Sequence, residues 1–284
     1  DPDEVVNTIA AFPEFSFWPV VPTMLAAVLN HPRAQELNLA KRFALINSGA
    51  APCPVELIEK ARDFNIFFSE GWGMSETTSL GITQPIQGVK KPLSIGIPYP
   101  DTDVKLVDLN TGEPVKQGEV GEIWIKSPLV MKEYWNNPEE TAEQLKDGWL
   151  RTGDLAYMDE DYYIFIVDRS KDMIISGGYN IYPRDIDEVL FKHPKVKDAI
   201  TVGIPDEYRG EIVKAFVQPV EGAEVTAEEL IAYCREHLAP YKVPRMIEFR
   251  SELPRSNVGK AFRRKLRDEE IAKMKKEKEQ QEKA

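Results

Sequence analysis

Apolar positions change their spacing twice along the chain, and the changes divide it into three stretches. Residues 40–47 (AKRFALIN) read as a short buried strand stopped at Ser48-Gly49. Val55, Leu57, Ile58 and Ala61 then recur at helical spacing between residues 54 and 64. Residues 65–68 form another short apolar strand, running into a glycine turn at Gly71. Strand, loop, helix and strand in that rhythm predict an α/β layer.

From Ser94 the period shortens. DVKLVD (residues 103–108), a turn at Asn110-Thr111-Gly112 and GEIWIK (residues 121–126) predict a hairpin. Asn137-Pro138-Glu139-Glu140 opens one short helix, with a cap, a first-turn proline and acids at the positive end. Residues 162–167 close this β-rich stretch as a further strand. After Arg169 the pattern becomes α+β. It has a helix over 183–192, strands over 199–203 and 212–217, and a capping box at Thr226-Ala227-Glu228-Glu229. The helix that follows presents Leu230, Ile231, Cys234 and Leu238 on one face, so Cys234 is expected in the core. Residues 246–249 are a last strand. Beyond Asp268 mixed charge without an apolar stripe predicts a solvated helix or an unstructured tail.

Composition narrows the function classes. The 284 residues suffice for about two domains. With 36 Lys+Arg against 47 Asp+Glu the net charge is −11, which argues against a general nucleic-acid binder, because a phosphate backbone is gripped by clustered cations. No apolar run approaches the ~20 residues of a membrane span, and residues 1–7 lack the basic start and apolar core of a signal peptide. Two cysteines, Cys53 and Cys234, make neither a disulfide framework nor a zinc spacing. A cytoplasmic location is the expectation.

Four segments carry candidate chemistry. In GWGMSETT (residues 71–78) Gly71 and Gly73 permit close backbone approach to a ligand. There Trp72 offers a stacking face, Ser75 a hydroxyl for a phosphate oxygen, and Glu76 an oxygen ligand for Mg²⁺. The same residues equally suit a turn before a helix N-terminus. Asp154 of WLRTGD could accept two hydrogen bonds from vicinal ribose hydroxyls or close an Asx-turn. DRSKDMIISGGYNIYP (residues 168–183) reads as a charged hinge with ligand contacts or as a linker and hairpin turn. PRSNVGK (residues 254–260) delivers Lys260 on a glycine loop without the spacing of a phosphate loop. That lysine could neutralise a transferring phosphoryl group, or belong to a solvated basic patch with Arg263, Arg264 and Lys265.

Singly these motifs are inconclusive, but their order is not. NSGAAP (residues 47–52), GWGMSETT, SIGIPYP (residues 94–100), GWLRTGD, DRSKDMIISGGYNIYP and PRSNVGK follow one another as in the adenylate-forming superfamily of acyl-CoA synthetases, luciferase-like enzymes and peptide-synthetase adenylation domains. The chain resembles that superfamily from about Trp18 to Arg264. The resemblance implies attack of a carboxylate on the α-phosphate of ATP, then displacement of AMP by a thiol, usually of coenzyme A. Gly49, Ala50, Ala51 and Pro52 with Gly71, Trp72, Gly73, Met74 and Ser75 would line the adenine and phosphate site. Glu76 would hold Mg²⁺, and Asp154 and Arg169 the ribose. Lys171 would be the hinge, Gly177, Gly178 and Tyr179 would approach the pantetheine arm, and Lys260 would bridge carboxylate and α-phosphate.

The implied fold is α/β and α+β. Part of a large N-terminal domain would combine an α/β layer over 1–93 with a distorted β-barrel subdomain over 94–168. A hinge at 169–171, a small mobile α+β domain over 172–267 and a charged tail over 268–284 would follow. A Ser/Thr/Gly-rich phosphate loop ending in lysine, carried by the N-terminal half of such enzymes, is not found in these residues. The expectation is therefore the C-terminal part of a longer fatty acyl-CoA ligase, itself weakly active or inactive. An apolar face around Phe12, Phe15, Phe17, Trp18 and Leu25 would be left to the missing half or to a homodimer. An aryl-acid ligase or a peptide-synthetase adenylation domain is the nearest alternative; a non-catalytic nucleotide-binding scaffold is the alternative of another class.

Overall fold

The computed structural model describes residues 1–12, 15–256 and 260–281 and divides into two compact units, Asp1–Ile166 and Val167–Ala284. Unit 1 opens with α1 (Pro2–Ala11), capped by the Asp1 carboxylate, then β1 (Phe15–Val20), α2 (Pro22–Leu29), the single turn α3 (Leu39–Arg42), β2 (Phe43–Ser48), α4 (Val55–Asp63), β3 (Phe68–Trp72), β4 (Ile82–Thr83) and β5 (Ile97–Pro98). They form one sheet in the order β1-β2-β3-β4-β5, with the first three strands parallel and the last two joined antiparallel. Leu25, Val28, Leu29, Ile46, Leu57, Ala61 and Phe68 pack between helices and sheet.

Two boundaries differ from the sequence reading. The start of AKRFALIN is the helical turn α3, so the strand begins at Phe43. The strand read over 65–68 begins at Phe68 and runs through Gly71 to Trp72, because Gly71 pairs with Thr83 inside the sheet instead of turning the chain. The expected apolar face is only partly open. Phe12 and Phe17 are more than half exposed, but Leu25 is fully buried and Trp18 stacks on Phe43 with ring centroids 5.1 Å apart. The side chain of Phe15 lies outside the described set.

The β-rich stretch contains β6 (Asp103–Val107), β7 (Gly121–Lys126), α5 (Pro138–Gln144), β8 (Leu145–Lys146), β9 (Trp149–Met158) and β10 (Ile164–Arg169). The predicted hairpin is β6 against β7. The strands run β10-β9-β7-β6 with β8 beside β9, an open sheet; among the described residues no pairing closes it, which corrects the expected barrel.

Unit 2 comprises β11 (Ile174–Ser176), β12 (Tyr179–Ile181), α6 (Pro183–Phe191), β13 (Val196–Asp206), β14 (Gly210–Pro219), α7 (Ala227–His237), β15 (Met246–Phe249) and α8 (Arg263–Gln281). The sheet runs β12-β11-β14-β13, with β15 parallel to β14. Alternate β14 residues serve two cores. Val213, Ala215 and Val217 pack with Ile186, Leu190, Leu230 and Cys234 of α6 and α7, while Phe216 packs with Ile200, Val202, Leu253 and Leu266 of α8. Burial on both faces explains why β13 and β14 read as continuous apolar runs. The tail is more structured than its composition predicts: α8 continues to Gln281, and Glu270 on it is 5% exposed, held by Lys214 at 2.6 Å. No helix among the described residues is long and apolar enough to cross a membrane.

Candidate nucleotide site

The first two motifs meet at the carboxyl ends of parallel strands, where open α/β sheets place their ligands. Asn47 lies opposite Ser69 in the β2–β3 register and donates to its hydroxyl at 2.7 Å. Just beyond β2, Gly49 lies so close to Gly71 that a β-carbon on it would be 3.1 Å from the Gly71 carbonyl oxygen. Ala50, at φ 66°, turns the chain through the left-handed region before Ala51 and Pro52. Gly73 is tighter still, since a β-carbon there would fall 2.2 Å from the Ser79 carbonyl oxygen. After Met74 one 3₁₀ turn (Ser75–Thr77) leaves Ser75 exposed and buries Thr77, whose hydroxyl accepts from the Met74 amide at 3.0 Å.

Trp72 does not present an open face. It is 9% exposed and packed with Ile82, Ile123, Ile125 and Leu150, and its indole Nε1 donates to Asp154 Oδ2 at 2.8 Å. Two residues 82 apart in sequence are thereby joined.

Asp154 sits within β9, and the sequence did not reveal how it is aimed. The β7–β9 register breaks so that Thr152, Gly153 and Asp154 together oppose Ile123. The Thr152 hydroxyl donates to the Ile123 carbonyl at 2.8 Å, and Gly153 takes φ 71°. Such a bulge re-aims a side chain out of the regular pleat. Glu122, 4% exposed, fixes it: the carboxylate accepts from the Gly153 amide (3.0 Å), Trp124 Nε1 (2.9 Å) and Arg151 Nε (3.4 Å).

Glu76 is half-buried. Its carbonyl accepts from the Met131 amide at 2.7 Å, and its Oε1 accepts from the Tyr134 hydroxyl at 2.8 Å. Burial first, then the Glu76 carboxylate, pushes the Tyr134 phenol up to about 12, so it remains a donor. No group of three or more His, Cys, Asp or Glu among the described residues could cage a metal. A single carboxylate with one oxygen already fixed does suit Mg²⁺, which keeps several waters and takes further oxygens from substrate phosphates.

The remaining candidates belong to unit 2. The Arg169 amide donates to the Asp168 carboxylate (2.8 Å), and Lys171 lies in a 3₁₀ turn, Ser170–Asp172. Gly177 and Gly178, at φ 57° and 83°, form the two-residue turn between β11 and β12 that only positive φ at both positions allows. Tyr179 stacks on Tyr241 with centroids 4.5 Å apart. The Lys260 amide donates to the Ser256 hydroxyl at 3.1 Å, and its carbonyl accepts from the Ser256 amide at 2.8 Å. Residues 257–259 of that loop, including its glycine, lie outside the described residues. Just past it, Arg263 donates to Asp187 at 2.5 Å. Burial pushes the Asp187 carboxyl up to about 7, although Arg263 and Thr201 pull it down. Burial likewise pushes the thiols of Cys53 and Cys234 up, to about 12 and about 11, so neither is a nucleophile.

Sequence reasoning missed Glu122, Tyr134 and Asp187, and it read Arg263, the ion-pair partner of Asp187, as part of a solvated basic patch. Glu122 alternates with the apolar Ile123 and Ile125 along a strand, and Tyr134 precedes a helix cap; neither pattern points to the distant partner.

Comparison with known proteins follows the same outline. The model of the AMP-binding enzyme family matches residues 2–135, and that of the AMP-binding enzyme C-terminal domain matches residues 185–260. A long-chain-fatty-acid–CoA ligase of Bacillus subtilis (strain 168) is 47% identical over 258 residues, 90% of this chain and 46% of that protein. A feruloyl-CoA synthase of Amycolatopsis sp is 42% identical over 248 residues, 87% of this chain and 50% of its own. The crystal structure of ATP-bound MatB from Rhodopseudomonas palustris superposes with a TM-score of 0.86 at 31% identity, over 94% of this chain and 53% of that one. The chain thus spans about half the length of the relatives it matches. With both family models matched in chain order, and relatives of this similarity along nearly all of it, the chain belongs to the AMP-binding, adenylate-forming enzymes.

Proposed function

We propose that this chain is the C-terminal part of an AMP-forming acid–thiol ligase, which makes an acyl-adenylate from a fatty carboxylic acid and ATP and then a CoA thioester. The observation that carries the reading is the Trp72–Asp154 hydrogen bond, which ties the glycine-bracketed motif to the bulge that aims the carboxylate. In this reading Gly49 to Pro52 and Gly71 to Ser75 border the nucleotide, and Trp72 acts by holding Asp154 for the ribose. Arg169 shares the ribose, Lys171 is the pivot of unit 2, and Gly177, Gly178 and Tyr179 meet the pantetheine arm of CoA. Lys260 stabilises charge as the carboxylate attacks the α-phosphate. Mg²⁺, when bound, neutralises phosphate charge, with Glu76 as the protein ligand. The work would be cytoplasmic, where ATP and CoA are supplied.

The Ser/Thr/Gly-rich phosphate loop of such enzymes is not among these residues, so this polypeptide alone should turn over weakly. Pyrophosphate release from ATP, measured with fatty and hydroxycinnamic acids for this chain and for a longer form, tests the reading. Fatty acids should stimulate the longer form most. Formation of ADP and orthophosphate would refute the ligase chemistry; a preference for hydroxycinnamates, the second reading given the feruloyl-CoA synthase similarity, would change the substrate class only. Lys260→Ala should depress adenylation far more than thioester formation from preformed adenylate.

A further inference from the structure

The loop between β7 and α5 is stitched to the loop that carries Glu76. The Met131 amide donates to the Glu76 carbonyl at 2.7 Å, and the Thr78 hydroxyl to the Leu129 carbonyl at 2.8 Å. Between these clips and α5 lies Tyr134. Its amide donates to the Thr141 hydroxyl (2.9 Å), and its carbonyl accepts from the Asn137 amide (3.2 Å), where Asn137 is itself the α5 cap. The tyrosine backbone is therefore anchored by a helix start, and its phenol donates to the Glu76 carboxylate on Oε1. An ionised carboxylate on a single turn of 3₁₀ helix has several rotamers. A fixed donor on one oxygen selects among them and leaves the other oxygen to a cation.

We propose that Tyr134 is a positioning residue for the nucleotide-bound divalent cation: its hydroxyl holds the Glu76 carboxylate in the orientation that accepts Mg²⁺. This rests on the reading of Glu76 given above. Hydrogen-bond partners of metal-ligating carboxylates act in this way, and their loss typically weakens metal affinity about 10- to 100-fold.

The test uses Tyr134→Phe, which removes one oxygen and keeps the ring. Proton-relaxation enhancement by Mn²⁺·ATP is titrated with the wild-type chain, Tyr134→Phe, Glu76→Gln and Thr78→Val, and the Mg²⁺ dependence of adenylation is measured in a longer form. Tyr134→Phe should raise the cation concentration for half-effect by roughly tenfold, and should leave thioester formation from preformed adenylate unchanged. Added to Glu76→Gln it should have no further effect. Thr78→Val, which loosens the same loop without touching the carboxylate, should behave as wild type. Wild-type cation dependence in Tyr134→Phe, or an equal shift in Thr78→Val, overturns the proposal. If Glu76→Gln itself leaves cation binding and adenylation intact, the assignment of Glu76 fails instead, and this inference with it.

Discussion

Replacing Trp72 by Phe tests whether the nucleotide site is set by one buried hydrogen bond. The indole and the Asp154 carboxylate are 9% and 6% exposed and 2.8 Å apart, so water cannot readily substitute for the lost donor. A hydrogen bond to a charged group contributes about 1.5–3 kcal/mol, and the smaller ring gives up on the order of 1–2 kcal/mol of packing. The variant should lose about 2.5–5 kcal/mol in chemical denaturation on this sum. A double-mutant cycle with Asp154→Ala should isolate a coupling of about 1.5–3 kcal/mol. Gly81 supplies an internal check. A β-carbon there would lie 3.1 Å from Trp72 Cζ3 and 2.8 Å from Ile125 Cδ1. Gly81→Ala should therefore destabilise the wild type and cost less in the Trp72→Phe background, where the ring is smaller. AMP affinity, measured by calorimetry, should fall about tenfold, the equivalent of ~1.4 kcal/mol. Additive losses within ~0.5 kcal/mol, together with unchanged AMP binding, would refute the claim that Trp72 works through Asp154.

Four further outcomes follow from other contacts. Gly73→Ala places a methyl 2.2 Å from a backbone oxygen and should cost more than about 2 kcal/mol, against a milder loss for Gly49→Ala at 3.1 Å; equal melting temperatures would refute the close approach. Lys214→Met leaves the buried Glu270 carboxylate without its closest cation and should cost about 3–5 kcal/mol, with α8 amides losing hydrogen-exchange protection. Burial pushes Glu248 up, but Lys214, Arg250 and Lys273 bring it down to about 2. Its stabilisation is therefore present above the ordinary value of 4.5 and lost as pH falls toward 2, and Lys214→Met should flatten that acid limb. Asp187 runs the other way. Its carboxyl is raised from 3.8 to about 7, so its contribution is full below pH 3.8 and lost as pH rises through 7; Asp187→Asn should remove that decline, and parallel melting curves for the two proteins would contradict it.

Local pattern was enough to locate the glycines and the motif order, because a turn or a close approach leaves its mark on the residue that makes it. It was insufficient wherever a partner is remote. GEIWIK alternates as though Glu122 faced water, yet the carboxylate is buried because Arg151 and Gly153 arrive from β9. WLRTGD looks like a turn, and it is a bulge that exists only opposite β7. Gly71 looked like a strand stop, since a glycine signals a break until its pairing with Thr83 is known. In α8 the apolar stripe is nearly absent because ion pairs from Lys214 and Arg250 do the anchoring that periodicity counts only in leucines.

The remote partners also set what this chain should keep by itself. Trp72–Asp154, Glu76–Tyr134 and Gly153–Glu122 span 82, 58 and 31 residues, and all three close within residues 72–154. The geometry assigned to adenine and ribose therefore depends on contacts that this chain makes with itself. The grip on the β- and γ-phosphates does not, since the loop that resembling enzymes use for it is not among these residues. Nucleoside recognition and phosphate recognition should then come apart: the chain should bind AMP and ATP with affinities within about threefold, a difference below ~1 kcal/mol, whereas a longer form carrying that loop should favour ATP·Mg²⁺ clearly. Calorimetric titration of both nucleotides into both forms decides it. If the 284-residue chain prefers ATP as strongly as the longer form, its own residues, with Lys260 and Glu76 the first to be substituted, hold the outer phosphates; if it binds neither nucleotide, the self-contained contacts around Asp154 do not make a site.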